Sequence, residues 1–380
     1  MNGTIPIKIG IYGSYGGLNL GDEAILQSII LQIRNTISCE ITVFTRSCGD
    51  TLFRHKVDRV IPNRQMARTE IIPEIERLDI LLIGGGGIIY DADAKVYLRE
   101  ALMAIEKQIP VMIYSVGAGP LKEPPVQEYV SYVLNQVDAI TVRDRRSRQI
   151  LENAGIDRDI TVTADPALLL SSEPINNKIL KNEGLLGKRN LIGMSVREAG
   201  VAAPDIKESH YHSLLANAAD YMIERYNADV VFIPMEPRTF DLQHCHAVIS
   251  RMLHPQRATV LQGTYTSGQV LSIIGKLEFA VGMRLHFLIF AAIQGVPFVA
   301  LPYSPKVAGF LDDMQIEMPP ISSVNEGRLI AYIDKYWDQR KVLQTQIKRL
   351  LPELRKRAMQ NNSILMDIIR SNKKFSKGAA

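Results

Sequence analysis

The sequence predicts an α/β protein built from two Rossmann-like, doubly wound domains. Its 380 residues are more than a single domain usually contains. Short apolar stretches alternate along the chain with longer stretches of helical period, which is the pattern of parallel sheets covered by helices. Several apolar stretches end in glycine, and a strand that ends in a glycine turn before a helix is typical of doubly wound folds.

The composition excludes several functional classes. Apolar residues make up 46% of the chain and charged residues 22%, as in ordinary globular proteins. The net charge of +4 is mild and does not indicate nucleic-acid binding, for which basic clusters with interleaved aromatic residues are expected. Three scattered cysteines, Cys39, Cys48 and Cys245, fit a reducing compartment rather than a disulfide framework. Since neither a signal-peptide pattern nor an apolar run of about 18 residues occurs, we expect a cytoplasmic protein.

Residues 1–170 are predicted to form the N-terminal domain. A buried strand from Ile5 to Tyr12 leads into the loop G-S-Y-G-G-L-N-L-G-D-E-A and then into a helix that Asn19 or Asp22 could cap. This loop matches neither the dinucleotide-binding fingerprint nor the P-loop. Its backbone is nevertheless expected to line a ligand cleft.

Another strand of this domain is predicted to end in glycine. The strand Leu78–Ile83 leads into the run Gly84–Gly87, and a helix from Lys95 to Gln108 follows. A run of glycines lets a ligand approach the backbone closely, and it suits a tight packing turn equally well. The residues expected to line the cleft are Gly16, Gly17, Asn19, Gly85 and Gly86.

The remaining chain repeats the pattern. Residues 171–188 are polar and predicted to be a linker, residues 189–335 a C-terminal Rossmann-like domain, and residues 336–380 C-terminal helices with a frayed tail. Two such halves, with strand ends facing a central cleft, are the layout of the glycosyltransferase B architecture. The basic residues from Lys348 onward could touch an anionic membrane surface, although a solvated helix face explains them as well.

Groups that can carry positive charge follow strands in both halves. Arg143 comes directly after the strand Ala139–Val142. Arg284 and His286 stand where an apolar, buried helix begins, and Lys306 lies in the loop after the next strand. In a parallel sheet the carboxyl ends of the strands and the N-termini of the following helices lie at the same edge. We therefore expect an anion-binding site at this edge. Taken singly, such an arginine could be a surface ion pair and such a histidine a core residue.

Two pairs of histidines have a spacing that resembles that of metal ligands. His210 and His212 are two residues apart, as are His244 and His246. On a helix, residues with this spacing point to different faces, so no metal site is predicted. An α/β-hydrolase is not indicated either, since the G-x-S-x-G motif is absent.

The chain resembles the polysaccharide pyruvyl transferase family, which includes bacterial cell-wall and exopolysaccharide enzymes. The resemblance extends from about Ile7 to about Pro319. It rests on N-L-G-D-E-A, the glycine run, G-A-G-P, V-R-D-R-R-S, A-D-P-A and above all G-M-R-L-H followed by P-K-V. It implies a glycosyltransferase-B-like fold, phosphoenolpyruvate as donor, and a ketal-linked pyruvate across two hydroxyls of a sugar acceptor.

By this resemblance the donor-binding residues are Arg143, Arg284, Leu285, His286 and Lys306. The C-terminal domain would then serve the donor and the N-terminal domain the acceptor. Arginine can hold a phosphate or a carboxylate bidentately, lysine supplies a charge for the leaving phosphate, and His286 is expected to act as general acid. Arg145 and Arg146 lie close to Arg143, which leaves open which of the three contacts the donor.

The sequence leaves two other functions open. One is a glycosyltransferase that uses a nucleotide-sugar donor, with Glu236 as the acidic residue for the ribose. The other is a non-catalytic protein that binds an anion or a carbohydrate. No metal or other cofactor is expected, because cationic side chains can neutralise the donor. The acceptor sugar, its attachment to a lipid and the oligomeric state are not indicated.

Overall fold

The computed structural model describes residues 6–188, 190–198, 207–237, 240–301, 305–317 and 325–372. The predicted strand start at Ile5 and residues 373–380 of the predicted frayed tail lie outside this part of the chain. Within it the strands are β1 (Ile7–Tyr12), β2 (Cys39–Phe44), β3 (Arg59–Ile61), β4 (Ile80–Ile89), β5 (Val111–Ala118), β6 (Ala139–Val142), β7 (Ile160–Val162), β8 (Leu191–Ser195), β9 (Asp229–Phe232), β10 (Ala258–Val260), β11 (Phe279–Gly282) and β12 (Phe298–Ala300).

The α-helices of the same ranges alternate with these strands in most of the chain. They are α1 (Leu20–Arg34), α2 (Cys48–Arg54), α3 (Arg68–Glu76), α4 (Ala94–Tyr97), α5 (Arg99–Glu106), α6 (Pro124–Leu134), α7 (Arg145–Asn153), α8 (Asn177–Asn182), α9 (Glu208–Tyr226), α10 (Phe240–Ile249), α11 (Ser267–Ile274), α12 (Leu285–Gln294), α13 (Pro305–Asp313), α14 (Glu326–Asp338) and α15 (Arg340–Ser371). None of the described helices has the length and apolar character needed to cross a membrane.

The described residues of 6–18, 22–170 and 353–372 form the first of two compact units. Its sheet is parallel throughout, in the order β3-β2-β1-β4-β5-β6-β7. Leu81, Leu82 and Ile83 are consecutive and all buried, so both faces of β4 are covered. This explains why the strands read as continuous apolar runs in the sequence.

The described residues of 19–21 and 171–352 form the second unit. Its sheet is also parallel throughout, in the order β10-β9-β8-β11-β12. The aromatic rings of Phe279, Phe287 and Phe298 are completely buried in its core. The prediction of an α/β chain with two Rossmann-like sheets is confirmed.

Two predicted elements of the first unit differ from the structure. Strand β4 does not end before the glycines but continues through them to Ile89. Gly85 and Gly86 have φ values of 76° and 84°, which only glycine adopts easily, so this irregular part of the strand depends on glycine. The predicted single helix from Lys95 to Gln108 is divided into α4 and α5, with Leu98 between them.

The chain segments also group differently from the prediction. The predicted linker, residues 171–188, contains α8 and belongs to the second unit. The predicted C-terminal segment is not an independent part, because residues of α15 up to Pro352 group with the second unit and those from Glu353 with the first. The side chain of Asn361 on α15 accepts hydrogen bonds from the buried hydroxyls of Thr141 and Thr163, at 2.6 and 2.9 Å.

Candidate active site

The candidate site lies at the carboxyl edge of the sheet in the second unit. Strands β8 and β11 are neighbours, and the strand order reverses between them. From β8 the chain goes to β9 and β10 on one side, and it continues with β11 and β12 on the other. In open α/β sheets, ligands bind at such a switch point beyond the carboxyl ends of the strands. Arg197 follows β8 at this edge, and Arg284 follows β11.

A tight turn joins β11 to α12 and places the cationic residues of the G-M-R-L-H motif. A Cβ on Gly282 would come within 2.5 Å of the Phe287 ring, so glycine is needed where the turn packs on its own helix. Arg284 has an extended conformation at the N-cap of α12, and His286 is the second residue of the helix. Both residues therefore stand where the sequence predicted them, at the start of a buried helix.

Arg284 is buried and held by two carboxylates. Its Nε donates to the two oxygens of Asp241, at 3.2 and 3.0 Å, and its Nη2 bonds to Asp241 as well. Its Nη1 and Nη2 donate to the two oxygens of Glu236, at 3.2 and 3.1 Å. The guanidinium therefore forms a bidentate pair with each carboxylate. Both edges of the guanidinium through which Arg284 could bind an anionic ligand are therefore hydrogen-bonded to carboxylates of the protein.

The two carboxylates differ in exposure. Asp241, in the first turn of α10, is completely buried, and its Oδ2 accepts the N–H groups of Met235 and Glu236, both at 3.1 Å. Burial raises the pKa of Asp241, although the charge of Arg284 opposes this effect. The side chain of Glu236 is 23% exposed. Asp241 is therefore a fixed part of the site, whereas Glu236 is the partner that a ligand could displace.

The short segment Asn19–Gly21, which groups with the second unit, packs against this cluster. The side-chain amide of Asn19 donates to Glu236, and its carbonyl oxygen accepts the N–H of Gly21 at 2.9 Å, as predicted for a cap of α1. Gly21 lies against the imidazole of His286, since a Cβ on Gly21 would be 1.9 Å from Nδ1. Asn19 and His286, both predicted site residues, thus belong to one cluster with Arg284.

Lys306 follows β12, the strand next to β11. The sequence predicted it in a loop, whereas the structure places it half-buried in the first turn of α13. The helix begins at Pro305, which is a favourable first helical residue because its missing N–H would have no partner there. Arg284 and Lys306 therefore follow adjacent strands at the same edge of the sheet.

Further charged groups come after β8. Burial would raise the pKa of Glu198, but the guanidinium groups of Arg197 and Arg284 outweigh it and hold the pKa below its usual value. Charged side chains thus follow the four strands β9, β8, β11 and β12, which are adjacent in the sheet.

Arg143 lies in the first unit, buried among carboxylates and glycine backbone. It follows β6, and its Nη1 donates to Asp165 at 3.1 Å, while its Nε is 3.6 Å from Asp144. A Cβ on Gly117 would come within 2.5 Å of Nη2, and one on Gly87 within 3.4 Å. The glycine at position 117 is therefore needed to accommodate the guanidinium.

Two nitrogens of Arg143 lack an acceptor. Within the described residues, neither the buried Nε nor the buried Nη2 has a hydrogen-bond partner, and Nη2 is the one that faces Gly117 and Gly87. A buried donor without an acceptor is costly, so this group is suited to an anionic ligand. Arg145 and Arg146 are both exposed on α7. That Arg143 contacts the same ligand as Arg284 stays a prediction, since the two residues belong to different units.

The glycines of the run Gly84–Gly87 differ in their surroundings. Gly85 and Gly86, which were predicted to line a cleft, are buried, and the exposed glycine of the run is Gly87. A Cβ on Gly85 would meet Ile25 at 2.0 Å, and one on Gly86 would meet Asp22 at 2.9 Å. Close packing of β4 against α1 therefore accounts for Gly85 and Gly86.

The glycines of the first loop are fixed by a buried pair of side chains. Gly16 is buried, has a φ of 69°, and donates its N–H to Glu23 at 2.9 Å. The other carboxylate oxygen of Glu23 is 2.7 Å from Nε2 of His55. Gly17, next in the chain, is half-buried. The backbone of the loop after β1 is thus hydrogen-bonded to the buried Glu23, whose other carboxylate oxygen contacts His55.

Sequence reasoning missed part of the site. It did not identify Asp241 or Gly21, and it considered Glu236 only as a ribose ligand. One signal was present, because a buried arginine requires a carboxylate, and Glu236 and Asp241 follow a strand of the same unit. No sequence signal connects Gly21 with His286, which is 265 positions away along the chain.

The comparison with known proteins decides the family. The polysaccharide pyruvyl transferase family matches residues 19–305, which is most of the chain. The matched span includes Asn19, Arg143, Glu236, Arg284 and His286, and it ends one residue before Lys306.

The chain belongs to the polysaccharide pyruvyl transferase family.

A curated relative is consistent with this assignment. The amylovoran biosynthesis protein AmsJ of Erwinia amylovora is 21% identical to this protein, over 96% of the present chain and 100% of AmsJ. The family and this relative together support a transferase of polysaccharide biosynthesis.

Solved structures of similar fold support the architecture described above. A putative UDP-N-acetylglucosamine 2-epimerase from Listeria monocytogenes has a TM-score of 0.65 and 15% identity, over 97% of each chain. The ADP-heptose lipopolysaccharide heptosyltransferase II of Escherichia coli has a TM-score of 0.51 and 17% identity, over 88% of this chain and 100% of that one. The predicted glycosyltransferase-B-like fold is confirmed, and such low identities carry no information on the substrate.

Proposed function

We propose that this protein moves pyruvate from phosphoenolpyruvate to a sugar of a cell-wall or exopolysaccharide precursor. The product would be a pyruvate joined as a ketal to two hydroxyls of the sugar, with release of phosphate. The observation that carries the proposal is the first turn of α12, where Arg284 and His286 stand at the switch point of the second sheet.

The donor carries a phosphate and a carboxylate on three carbons, and the second unit offers a cationic group for each. Arg284 would bind one of them along its Nη1–Nη2 edge in place of Glu236, while the buried Asp241 keeps the guanidinium oriented. Lys306 would contact the phosphate. The N–H of Leu285 lies at the positive end of α12, a ten-residue helix, and would favour the same anion.

Arg143 is proposed to take part in donor binding through Nη2. This nitrogen is buried and has no acceptor among the described residues, whereas the other end of the guanidinium is paired with Asp165. The exposed residues Arg145 and Arg146 lack such a setting. The assignment of the donor to the second unit and the acceptor to the first remains part of the proposal.

His286 is proposed as the general acid. It would protonate the methylene carbon of the donor while a sugar hydroxyl attacks the central carbon. The C=C bond is then lost, the methylene carbon becomes a methyl group, and a C–O bond forms between the central carbon and the sugar. The proton of that hydroxyl would restore the imidazolium. A second hydroxyl then attacks the same carbon, the C–O bond to phosphate breaks, and the second hydroxyl proton leaves with the phosphate. Both hydroxyl protons are thereby accounted for.

The proposed acceptor is a carbohydrate precursor, which can be attached to a lipid. The amylovoran biosynthesis protein and the family support a polysaccharide context. Exposed basic residues on α15, including Lys348, Arg349 and Lys356, would allow contact with an anionic membrane surface at the cytoplasmic face. No cofactor and no nucleic acid enters the proposed reaction.

The structure offers little to the alternative of a nucleotide-sugar glycosyltransferase. That function required Glu236 to be available for a ribose. In the structure Glu236 accepts hydrogen bonds from Arg284 through both oxygens and from Asn19 through Oε1. Because the Glu236 carboxylate neutralises the buried Arg284, it is poorly suited to bind the two hydroxyls of a ribose instead.

Thermal unfolding with phosphoenolpyruvate tests the donor site. At about a hundred times its dissociation constant, a ligand of the native state adds about 2.7 kcal/mol to the free energy of unfolding. We expect this stabilisation in the wild type and in Lys276→Gln, an exposed lysine of the same unit, and a smaller one in Lys306→Gln.

Two outcomes would contradict the proposal. Stabilisation by nucleoside diphosphates but not by phosphoenolpyruvate would favour the glycosyltransferase. Stabilisation by phosphoenolpyruvate without phosphate release, when a mixture of cell-wall and exopolysaccharide precursors is supplied, would favour a binding protein.

A further inference from the structure

A cluster of two histidines and a glutamate joins α9 to α10 in the second unit. His212 and His244 are both buried, and the distance from Nε2 of His212 to Nδ1 of His244 is 2.7 Å. Glu208, one helical turn before His212, is exposed at the start of α9. One ligand atom from each of these three residues lies within 4.8 Å of the other two.

The sequence predicts no metal site here, because two histidines that are two residues apart on one helix point to different faces. The structure instead brings together one histidine from each helix and adds a glutamate four residues away, which shares the helix face of His212. His210 and His246, the other members of the two pairs, are exposed and do not belong to the cluster.

We propose that Glu208, His212 and His244 bind a divalent transition-metal ion, with Zn²⁺ as the best match. Two imidazole nitrogens and one carboxylate oxygen are a donor set that Zn²⁺ takes when a fourth position is left to water. Imidazole ligands disfavour Mg²⁺ and Ca²⁺, which prefer oxygen. The proposal is independent of the function proposed above.

Binding requires two small rearrangements in the cluster. One of the two rings carries the hydrogen that lies between Nε2 of His212 and Nδ1 of His244. That hydrogen must move to the remote nitrogen of its own ring, so that both facing nitrogens present lone pairs and no proton is lost. Metal–nitrogen bonds of about 2.0–2.1 Å at a tetrahedral angle also place the two nitrogens roughly 3.3 Å apart, slightly more than the present 2.7 Å.

The surroundings of His212 favour the neutral ring that a metal binds. Burial lowers the pKa of His212, and the neighbouring His244 lowers it further. Glu208 is exposed in the first turn of α9, so its carboxylate can turn towards the rings. The bound ion would link the first two turns of α9 to α10, and the first turn of α10 contains Asp241.

The test is a titration of the chelator-treated full chain with Zn²⁺, followed by competition with a chromophoric chelator. We expect one ion to bind per chain and to raise the unfolding temperature. Glu208→Gln and His244→Gln should each bind Zn²⁺ at least about tenfold more weakly. Loss of a residue that only hydrogen-bonds to a metal ligand already lowers metal affinity about tenfold or more, and loss of a ligand should lower it at least as much. The matched variants His210→Gln and His246→Gln should bind as the wild type does.

Several results would overturn the proposal. The absence of saturable binding in the wild type would do so, as would undiminished affinity in Glu208→Gln and His244→Gln. Because Glu208 is exposed, its substitution leaves the fold of the ion-free protein intact, and equal unfolding temperatures without metal check this. A Co²⁺ spectrum with a thiolate charge-transfer band would show instead that a cysteine binds the ion.

Discussion

At the residue scale, the partners of Arg284 decide how it can meet a ligand. The buried Asp241 and the partly exposed Glu236 together carry one negative charge more than the arginine neutralises. The three side chains alone would therefore not attract an anion. The proposed donor binding would therefore require other cations of this edge of the sheet, such as Lys306, and release of Glu236 from Arg284.

Substitution of Glu236 tests this exchange. Glu236→Gln removes the charge that competes with the donor for Arg284, so we expect phosphoenolpyruvate to bind at least about tenfold more tightly, since a charge-assisted hydrogen bond contributes about 1.5–3 kcal/mol. Isothermal titration measures the change, with the exposed Glu224→Gln as the control. Weaker donor binding in Glu236→Gln would mean that Glu236 orients Arg284 for the donor and does not compete with the donor for it.

Substitution of His286 tests the general acid. His286→Gln should reduce turnover about a hundred- to ten-thousandfold, because proton transfer by a positioned side chain contributes that much. The stabilisation by phosphoenolpyruvate should persist, and phosphate release measures the turnover. His246→Gln, an exposed histidine of the same unit, should retain full activity, and a near-normal rate in His286→Gln would remove it from the mechanism.

At the scale of elements, the segment Asn19–Gly21 at the start of α1 lies in the same unit as α12 and contacts His286 there. The rest of α1, from Asp22, groups with the first unit. The ring of His286 occupies the space that any side chain at position 21 would need. The glycine of the N-L-G-D-E-A motif is therefore explained by contact with the proposed acid and not by the backbone conformation of the loop.

A methyl group at position 21 tests this contact. Gly21→Ala places a Cβ 1.9 Å from Nδ1 of His286, so the ring must move, and we expect turnover to fall at least tenfold while the unfolding temperature changes little. Gly49→Ala is the matched control, since its Cβ would meet no atom within 4 Å. Equal activity of the two variants would contradict a fixed position of His286.

At the scale of the whole molecule, the last helix completes the first unit. Asn361 on α15 is completely buried, and its carbonyl oxygen accepts from Thr141 of β6 and from Thr163 after β7. Arg355 and Arg357 of the same helix donate to the carbonyl oxygens of Leu168 and Thr163, at 3.1 and 2.6 Å. Polar contacts therefore tie the end of the chain to strands some 200 residues earlier.

Removal of the buried amide tests the contribution of α15. Asn361→Ala leaves two buried threonine hydroxyls without this acceptor, and we expect the free energy of unfolding to fall by about 2–4 kcal/mol. Chemical denaturation measures it, with the exposed Gln360→Ala as control. A loss below about 0.5 kcal/mol would show that α15 packs on the first unit without depending on this contact.

The sequence by itself determined the fold class and the position of the motif residues. Continuous apolar runs predict buried parallel strands, and glycines mark turns such as the one before Arg284, because these signals are local and follow from backbone sterics and burial. The tertiary structure alone decided that Glu236 and Asp241 hold Arg284, that Gly21 faces His286, that His212 meets His244, and that α15 completes the first unit. Each of these pairs joins residues far apart in the chain, and no local propensity or period can encode which distant side chain will arrive beside them.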